Sequence, residues 1–156
     1  MKRTLKVLHS LGAAGVIGAL AAHLLILLAA PGETLEAQAA VRQSVAAIAR
    51  GLLLPSLAVV LVSGLLAMAV HRPFHEARWV WIKALLGIAM FEGTLGAVEG
   101  TARRLAELAT KPSADTTTLP AELLRHEWLG LWTVLALSLA NVALAVWRPR
   151  LRPRRS

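Results

Sequence analysis

Four long apolar stretches alternate with short polar or Pro-containing segments along the chain. They lie at about residues 5–30, 51–70, 79–101 and 122–147. Each is about as long as the roughly 20 residues that an α-helix needs to cross a bilayer. The chain shows none of the apolar–polar alternation typical of β-strands. The pattern therefore predicts an all-α fold, a four-helix antiparallel transmembrane bundle, as a single integral membrane domain over residues 1–156.

The segments beside the second and third spans continue a helical pattern. The Ala-rich stretch 35–50 is amphipathic and is expected to lengthen the second helix. The third helix is expected to run on past Arg103 toward residue 111. Glu99 and Arg103 are one helical turn apart, so they are expected to form an ion pair at the membrane interface.

Basic residues are concentrated on one side of the predicted bundle. Eleven of the 17 lysines and arginines precede the first span, surround the second connection or follow the fourth span. The positive-inside rule therefore predicts that both termini are cytoplasmic and that 148–156 is a basic cytoplasmic tail. Contact of this tail with anionic lipid explains the net charge of +8 better than binding of nucleic acid. The expected location is the plasma (inner) membrane of a bacterium.

Composition narrows the chemistry that the chain can support. Hydrophobic residues make up 56% of it, above the roughly 45–50% of ordinary soluble domains. Cysteine is absent, which excludes disulfides, thiolate catalysis, iron–sulfur clusters and Cys-ligated zinc. Any metal or cofactor is therefore expected to be bound by histidine, carboxylate, methionine or backbone oxygen.

Two histidines in the first helix are the most informative polar residues at membrane depth. His9 and His23 are fourteen positions apart. In an α-helix they lie within about 40° of one another, on one face, and about 21 Å apart along the axis. Small residues between them, such as Gly12 and Ala19, would let a flat ligand or another helix approach closely.

Ligation of haem b is one interpretation of these histidines, because neutral imidazole is a common axial ligand of haem iron. An inner site would use His9 with His71 or His75, and an outer site would use His23 with His126. The alternative is that each histidine is hydrogen-bonded to a neighbouring helix, which would suit a non-enzymatic accessory or structural subunit of a larger membrane complex.

A metal-handling protein is a third interpretation. His23, His126 and Glu92 (or Glu99) would form a His/His/Glu set suited to zinc or a harder divalent metal. With haem iron included, the candidate metal ligands are His9, His23, His126 and Glu92.

Three sequence segments resemble a known family. They are LKVLHSLGA in the first helix, LLLPSLAVVLVSGLLA in the second and RWVWIKALLGIAM in the third. Together they resemble bacterial four-helix membrane proteins related to the HemJ-type protoporphyrinogen IX oxidase. They are at least as similar to a sister family of unknown function, and more distantly similar to CopD-type copper-resistance domains. The resemblance covers about residues 5–90, and Pro55 and Gly64 match its second-helix motif.

The resemblance implies a haem b-binding redox protein, either an enzyme or an electron-transfer cytochrome subunit. It implies His9 as a haem ligand and Lys83 as the essential lysine, placed to hold a propionate of a porphyrin. The implied reaction removes hydrogen from a porphyrinogen and passes the electrons to a membrane quinone or a partner protein. The chain departs from the family at the end of the first helix, and it has Glu92 or a neighbour where the family has a later histidine. Homo-oligomerisation and membership of a larger complex stay open.

Overall fold

The computed structural model describes residues 2–29, 34–70, 78–110 and 119–147, and each of these ranges is dominated by one long helix. The chain forms α1 (Lys2–Ala29), α2 (Leu35–Ile48, Ala49–Leu53 and Leu54–Val70), α3 (Arg78–Gly93, Thr94–Gly100 and Thr101–Thr110) and α4 (Ala121–Trp147). The described ranges contain no β-strand. The predicted all-α four-helix bundle is confirmed.

All four helices are long and apolar enough to cross a membrane. Their outer surfaces carry large exposed aliphatic side chains, including Leu11 (68% exposed), Leu28 (70%) and Leu85 (66%). In water this surface would be costly, whereas in a bilayer it contacts lipid tails of the same polarity. The chain is a multi-pass membrane protein.

The helices pack mainly in chain order. The apolar part of α2 packs along α1 on one side and α3 on the other, and α3 packs against α4, whereas α1 touches α4 only slightly. We call the end of the bundle where α1 begins and α4 finishes the terminal end, and the opposite end the distal end. The buried core runs between them and includes Leu20, Leu53, Leu131 and Val134.

Glycines allow two close approaches between helices. A Cβ at Gly12 would lie 3.0 Å from the backbone oxygen of Ser56 on α2, and one at Gly130 would lie 2.9 Å from that of Ala97 on α3. Neither backbone oxygen can move away cheaply. The small residues between His9 and His23 therefore serve contact with α2, one of the two roles that the sequence left open.

The middle of α2 and the middle of α3 are π-helical, at Ala49–Leu53 and Thr94–Gly100. These wide turns contact each other, and Arg50 of the first binds Glu99 of the second, with 2.8 Å between Nη2 and Oε1. The predicted Glu99–Arg103 pair is therefore wrong. The backbone of the π segment directs Glu99 toward α2, and Arg103 lies 3.7 Å from Glu107 instead.

Beyond the π segments, α2 and α3 continue toward the distal end, as the sequence predicted, and these extensions pack against each other. Thr34 caps α2 by accepting a hydrogen bond from the backbone N–H of Ala37. A second, smaller apolar cluster forms there, built on Ala39, Leu105 and Leu119. This packing fixes the helix phase of the distal segment of α2 and therefore where its polar residues lie.

Candidate functional site

A cavity of about 700 Å³ opens at the terminal end of the bundle, between all four helices. Its volume lies in the roughly 300–1,000 Å³ range of small-molecule and cofactor sites. We call it the terminal cavity. Most of its wall is apolar, and its polar side chains are Lys6, His9, Ser10, Ser63, Lys83 and Asn141. Two residues that the sequence singled out, His9 and Lys83, therefore line one cavity.

The ring of His9 is fixed in orientation by α2. Its Nδ1 lies 3.1 Å from the backbone oxygen of Val60 and 3.1 Å from Oγ of Ser63. A carbonyl oxygen can only accept, so a proton must lie on Nδ1 and be donated toward Val60. Ser63 in turn donates to the same carbonyl oxygen. In the neutral ring, the second nitrogen, Nε2, is then unprotonated and has a free lone pair. His9 is one of the residues that line the cavity.

This arrangement is the one that histidine ligands of metals adopt in proteins. A ligating imidazole almost always donates its other N–H to a carbonyl or carboxylate, which fixes the tautomer and makes the free nitrogen more basic. Gly64 lies beside the ring, since a Cβ there would be 3.7 Å from Cε1 of His9. The site thus fits a ligand that accepts one nitrogen lone pair in an apolar setting.

Two cations lie in the wall of the same cavity, Lys6 on α1 and Lys83 on α3. The side-chain amide of Asn141 approaches the backbone oxygen of Lys83 at 3.5 Å and so connects α4 to this wall. A cavity with one imidazole and two ammonium groups in an apolar surround suits a flat apolar ligand that carries carboxylates at its edge.

The distal end holds a second group of polar residues, and these are buried. We call His23, Arg42 and Glu127 the distal cluster. Arg42 of α2 binds Glu127 of α4 by an ion pair in which the side chains are 11% and 0% exposed. His23 of α1 is completely buried and lies near Arg42. The ion pair connects α2 to α4, whereas His23 of α1 forms no hydrogen bond to either partner.

Several polar atoms of this region have no protein partner in the described part of the chain. They are both ring nitrogens of His23, Nε of Arg42, Oε1 of Glu127 and Oγ1 of the buried Thr94 on α3. Leaving a buried polar group unsatisfied costs about 1–3 kcal/mol. Four of these five atoms belong to the distal cluster, which therefore indicates a site for something that forms hydrogen bonds.

The outer pair of predicted haem ligands is not assembled around one cavity. His23 is fully buried, whereas His126 is exposed and lines a shallow groove between α3 and α4 that His23 does not line. Glu92 is also exposed, on the outer surface of α3. The described residues contain no group of three His, Cys, Asp or Glu side chains able to hold a metal ion, so the His/His/Glu set is not brought together. His71 and His75 lie outside the described residues.

Sequence reasoning did not select Arg42, Glu127 or Ser63 as site residues. Ser63 lies in the apolar second span and carries no sequence signal of its own. Glu127 is next to His126, and only the rotational phase of α4 decides which of the two faces inward. An arginine in an otherwise Ala-rich helix could have been paired with a carboxylate on another span, and that was the available signal for Arg42.

No protein-family model, curated protein or solved structure matches the chain. The resemblance to HemJ-type proteins therefore stays a prediction, and the site has to be interpreted from its own residues.

Proposed function

We propose that the chain is a haem b-binding redox protein of the bacterial plasma membrane, with both termini in the cytoplasm and haem held in the terminal cavity. The observation that carries this proposal is the fixed ring of His9. Its Nδ1–H is donated to Val60, which leaves Nε2 as the nitrogen available to iron.

The surroundings of His9 support haem rather than a bare metal ion. A structural divalent cation needs several protein ligands, and no group of three His, Cys, Asp or Glu side chains occurs among the described residues. Haem brings four ring nitrogens of its own and needs only axial ligands from the protein. The cavity volume and its apolar wall suit a porphyrin, whereas they would not satisfy a hydrated cation.

Different residues of the terminal cavity would contact different parts of the haem. Bound haem supplies one-electron redox chemistry. His9 would ligate the iron, and Ser63 and Val60 would hold its ring in place. Lys6 and Lys83 would bind propionate carboxylates, and the apolar wall would exclude water and tune the reduction potential.

The test is the visible spectrum of the full-length protein, purified in detergent from a haem-replete host. A Soret band that shifts on reduction is expected for the unaltered chain. His9→Ala should lose most of the bound haem. His9→Gly should regain the Soret band when imidazole is added, because free imidazole can occupy the space of the deleted ring and ligate iron.

His126→Ala is the matched control, since it also removes a histidine from the bundle but lies away from the terminal cavity. It should retain the haem content of the unaltered chain. Equal haem content in His9→Ala and the unaltered chain would overturn the proposed ligand. A colourless, helical and monodisperse protein that co-purifies with a partner would instead favour an accessory subunit of a larger complex.

A further inference from the structure

The two histidines of α1 differ in how their rings are held. The imidazole of His9 is locked in one tautomer by the backbone of α2. The imidazole of His23 is completely buried, and neither of its nitrogens has a partner in the described part of the chain. A ring that is free to carry its proton on either nitrogen can pass protons, whereas a ring with one fixed N–H cannot.

The distal cluster lies well away from the terminal cavity. His23 is fourteen residues from His9 along α1, and Glu127 is fourteen residues from Asn141 along α4. At 1.5 Å per residue, both distances correspond to about 21 Å along the helix axis. The cluster is therefore a separate site, and its interpretation does not depend on haem binding near His9.

The charges of the cluster indicate the chemical class of its ligand. Arg42 is paired with Glu127, so the pair is neutral overall. A divalent cation at His23 and Glu127 would be repelled by the guanidinium, and an anion near Arg42 would be repelled by the carboxylate. The unpartnered atoms include both donors and acceptors, namely Nε–H of Arg42, a carboxylate oxygen of Glu127 and the two imidazole nitrogens. The ligand of the cluster should therefore be a small neutral molecule that both donates and accepts hydrogen bonds, and water is such a molecule.

We propose that the distal cluster is a hydrated proton-transfer site in which His23 exchanges protons with bound water through both ring nitrogens. Water that bridges His23 and the free carboxylate oxygen of Glu127 satisfies the buried groups that the protein leaves unpaired. The ion pair with Arg42 holds the carboxylate of Glu127 in place.

The transfer step balances without any further reactant. One ring nitrogen of His23 takes a proton from a protonated water molecule, which becomes neutral water, and the other ring nitrogen releases its proton to a second water molecule, which becomes protonated. The imidazole passes through the protonated form and ends as the opposite neutral tautomer. One proton has moved from one side of the ring to the other, and the cluster keeps its charge.

Nitrogen NMR of the haem-free, full-length chain in lipid nanodiscs, labelled with ¹⁵N-histidine, tests this proposal. A fixed neutral tautomer gives two well-separated ring-nitrogen signals, whereas tautomer exchange averages them. His23 should show averaged signals and magnetisation transfer from water at both nitrogens, and His9 should show two separate signals. Proton exchange with water should be roughly tenfold faster at His23 than at Nδ1 of His9, which is held by a backbone hydrogen bond.

The signals of His23 can be assigned by elimination, without altering the cluster. The chain has five histidines, so four single replacements by glutamine identify the others: His9→Gln, His71→Gln, His75→Gln and His126→Gln. Glu127→Gln should then slow exchange at His23 roughly tenfold, because an amide binds water more weakly than a carboxylate. His126→Gln, one position away but exposed, should leave it unchanged.

A fixed tautomer of His23 in the unaltered chain, with no transfer from water, would overturn the proposal. That measurement needs no variant of the cluster, so it decides the matter even if Glu127→Gln fails to fold. Absence of haem from the terminal cavity would leave this result unaffected, which keeps the two proposals separable.

Discussion

Breaking the ion pair between Arg42 and Glu127 should destabilise the bundle far more than breaking the pair between Arg50 and Glu99. The first pair is enclosed, with side chains 11% and 0% exposed. Removal of one partner leaves an uncompensated charge that is shielded from bulk water, which costs about 3–5 kcal/mol. The second pair is 66% and 13% exposed, and pairs of this kind contribute about 0–1 kcal/mol.

A double-mutant cycle measures this difference directly. The free energy of unfolding would be determined in mixed detergent micelles, from far-ultraviolet circular dichroism, for Arg42→Met, Glu127→Leu and the double variant. Each single variant is expected to lose about 3–5 kcal/mol, a factor of roughly a hundred or more in the folded-to-unfolded ratio. The double variant should lose less than either single variant, because no buried charge is left without a partner.

The same cycle on Arg50→Met and Glu99→Leu is the matched comparison. This ion pair also joins α2 to another helix through one arginine and one glutamate. Its coupling energy should not exceed about 1 kcal/mol. Equal coupling energies for the two pairs would refute the reasoning, because they would mean that water reaches the distal cluster as freely as the surface.

Three further predictions concern packing, the His9 site and topology. Gly130→Ala should destabilise the bundle by about 1–3 kcal/mol, because its Cβ would meet a backbone oxygen of α3 at 2.9 Å, whereas Gly96→Ala, with open space around its Cβ, should not. Ser63→Ala should weaken haem binding several-fold without abolishing it, since it removes one hydrogen bond of about 1 kcal/mol from the His9 ring; titration of haem into the apoprotein measures this. Because the chain has no cysteine, single labels report topology directly: Ser156→Cys should react with a membrane-impermeant maleimide only after the cells are opened, and Ser44→Cys should react in intact spheroplasts.

The fold was predictable because membrane crossing imposes a strong and simple pattern. Each span had to supply about 20 apolar residues, and polar or Pro-containing segments had to separate the spans. The helix limits agree with the predicted spans at both ends of α4 and to within a few residues in α1. The sequence also predicted the distal extension of α2, from its amphipathic pattern, and the continuation of α3 past Arg103.

The candidate site was predictable only in part, because inward and outward positions depend on helix phase. Glu92 and Glu99, seven residues apart, would lie on one stripe of an ideal α-helix. In the structure Glu92 is exposed while the side chain of Glu99 is only 13% exposed, because the π segment Thr94–Gly100 shifts the phase between them. Periodicity along a sequence cannot reveal such a shift. His9 and Lys83, in contrast, were singled out in the sequence as polar residues at membrane depth, and both line the terminal cavity.

Because α3 contains a π segment, the number of residues within Thr94–Gly100 controls how the rest of the helix is oriented. A π turn holds about one residue more than the α turn that it replaces. Deleting one residue within Thr94–Gly100 would return the helix to α geometry and rotate the segment Thr101–Thr110 by about 100°. The buried Leu105 and Ala109 would then turn away from α2, and neighbouring charged residues would turn toward it. The π segment therefore determines which residues of Thr101–Thr110 face the interior of the bundle.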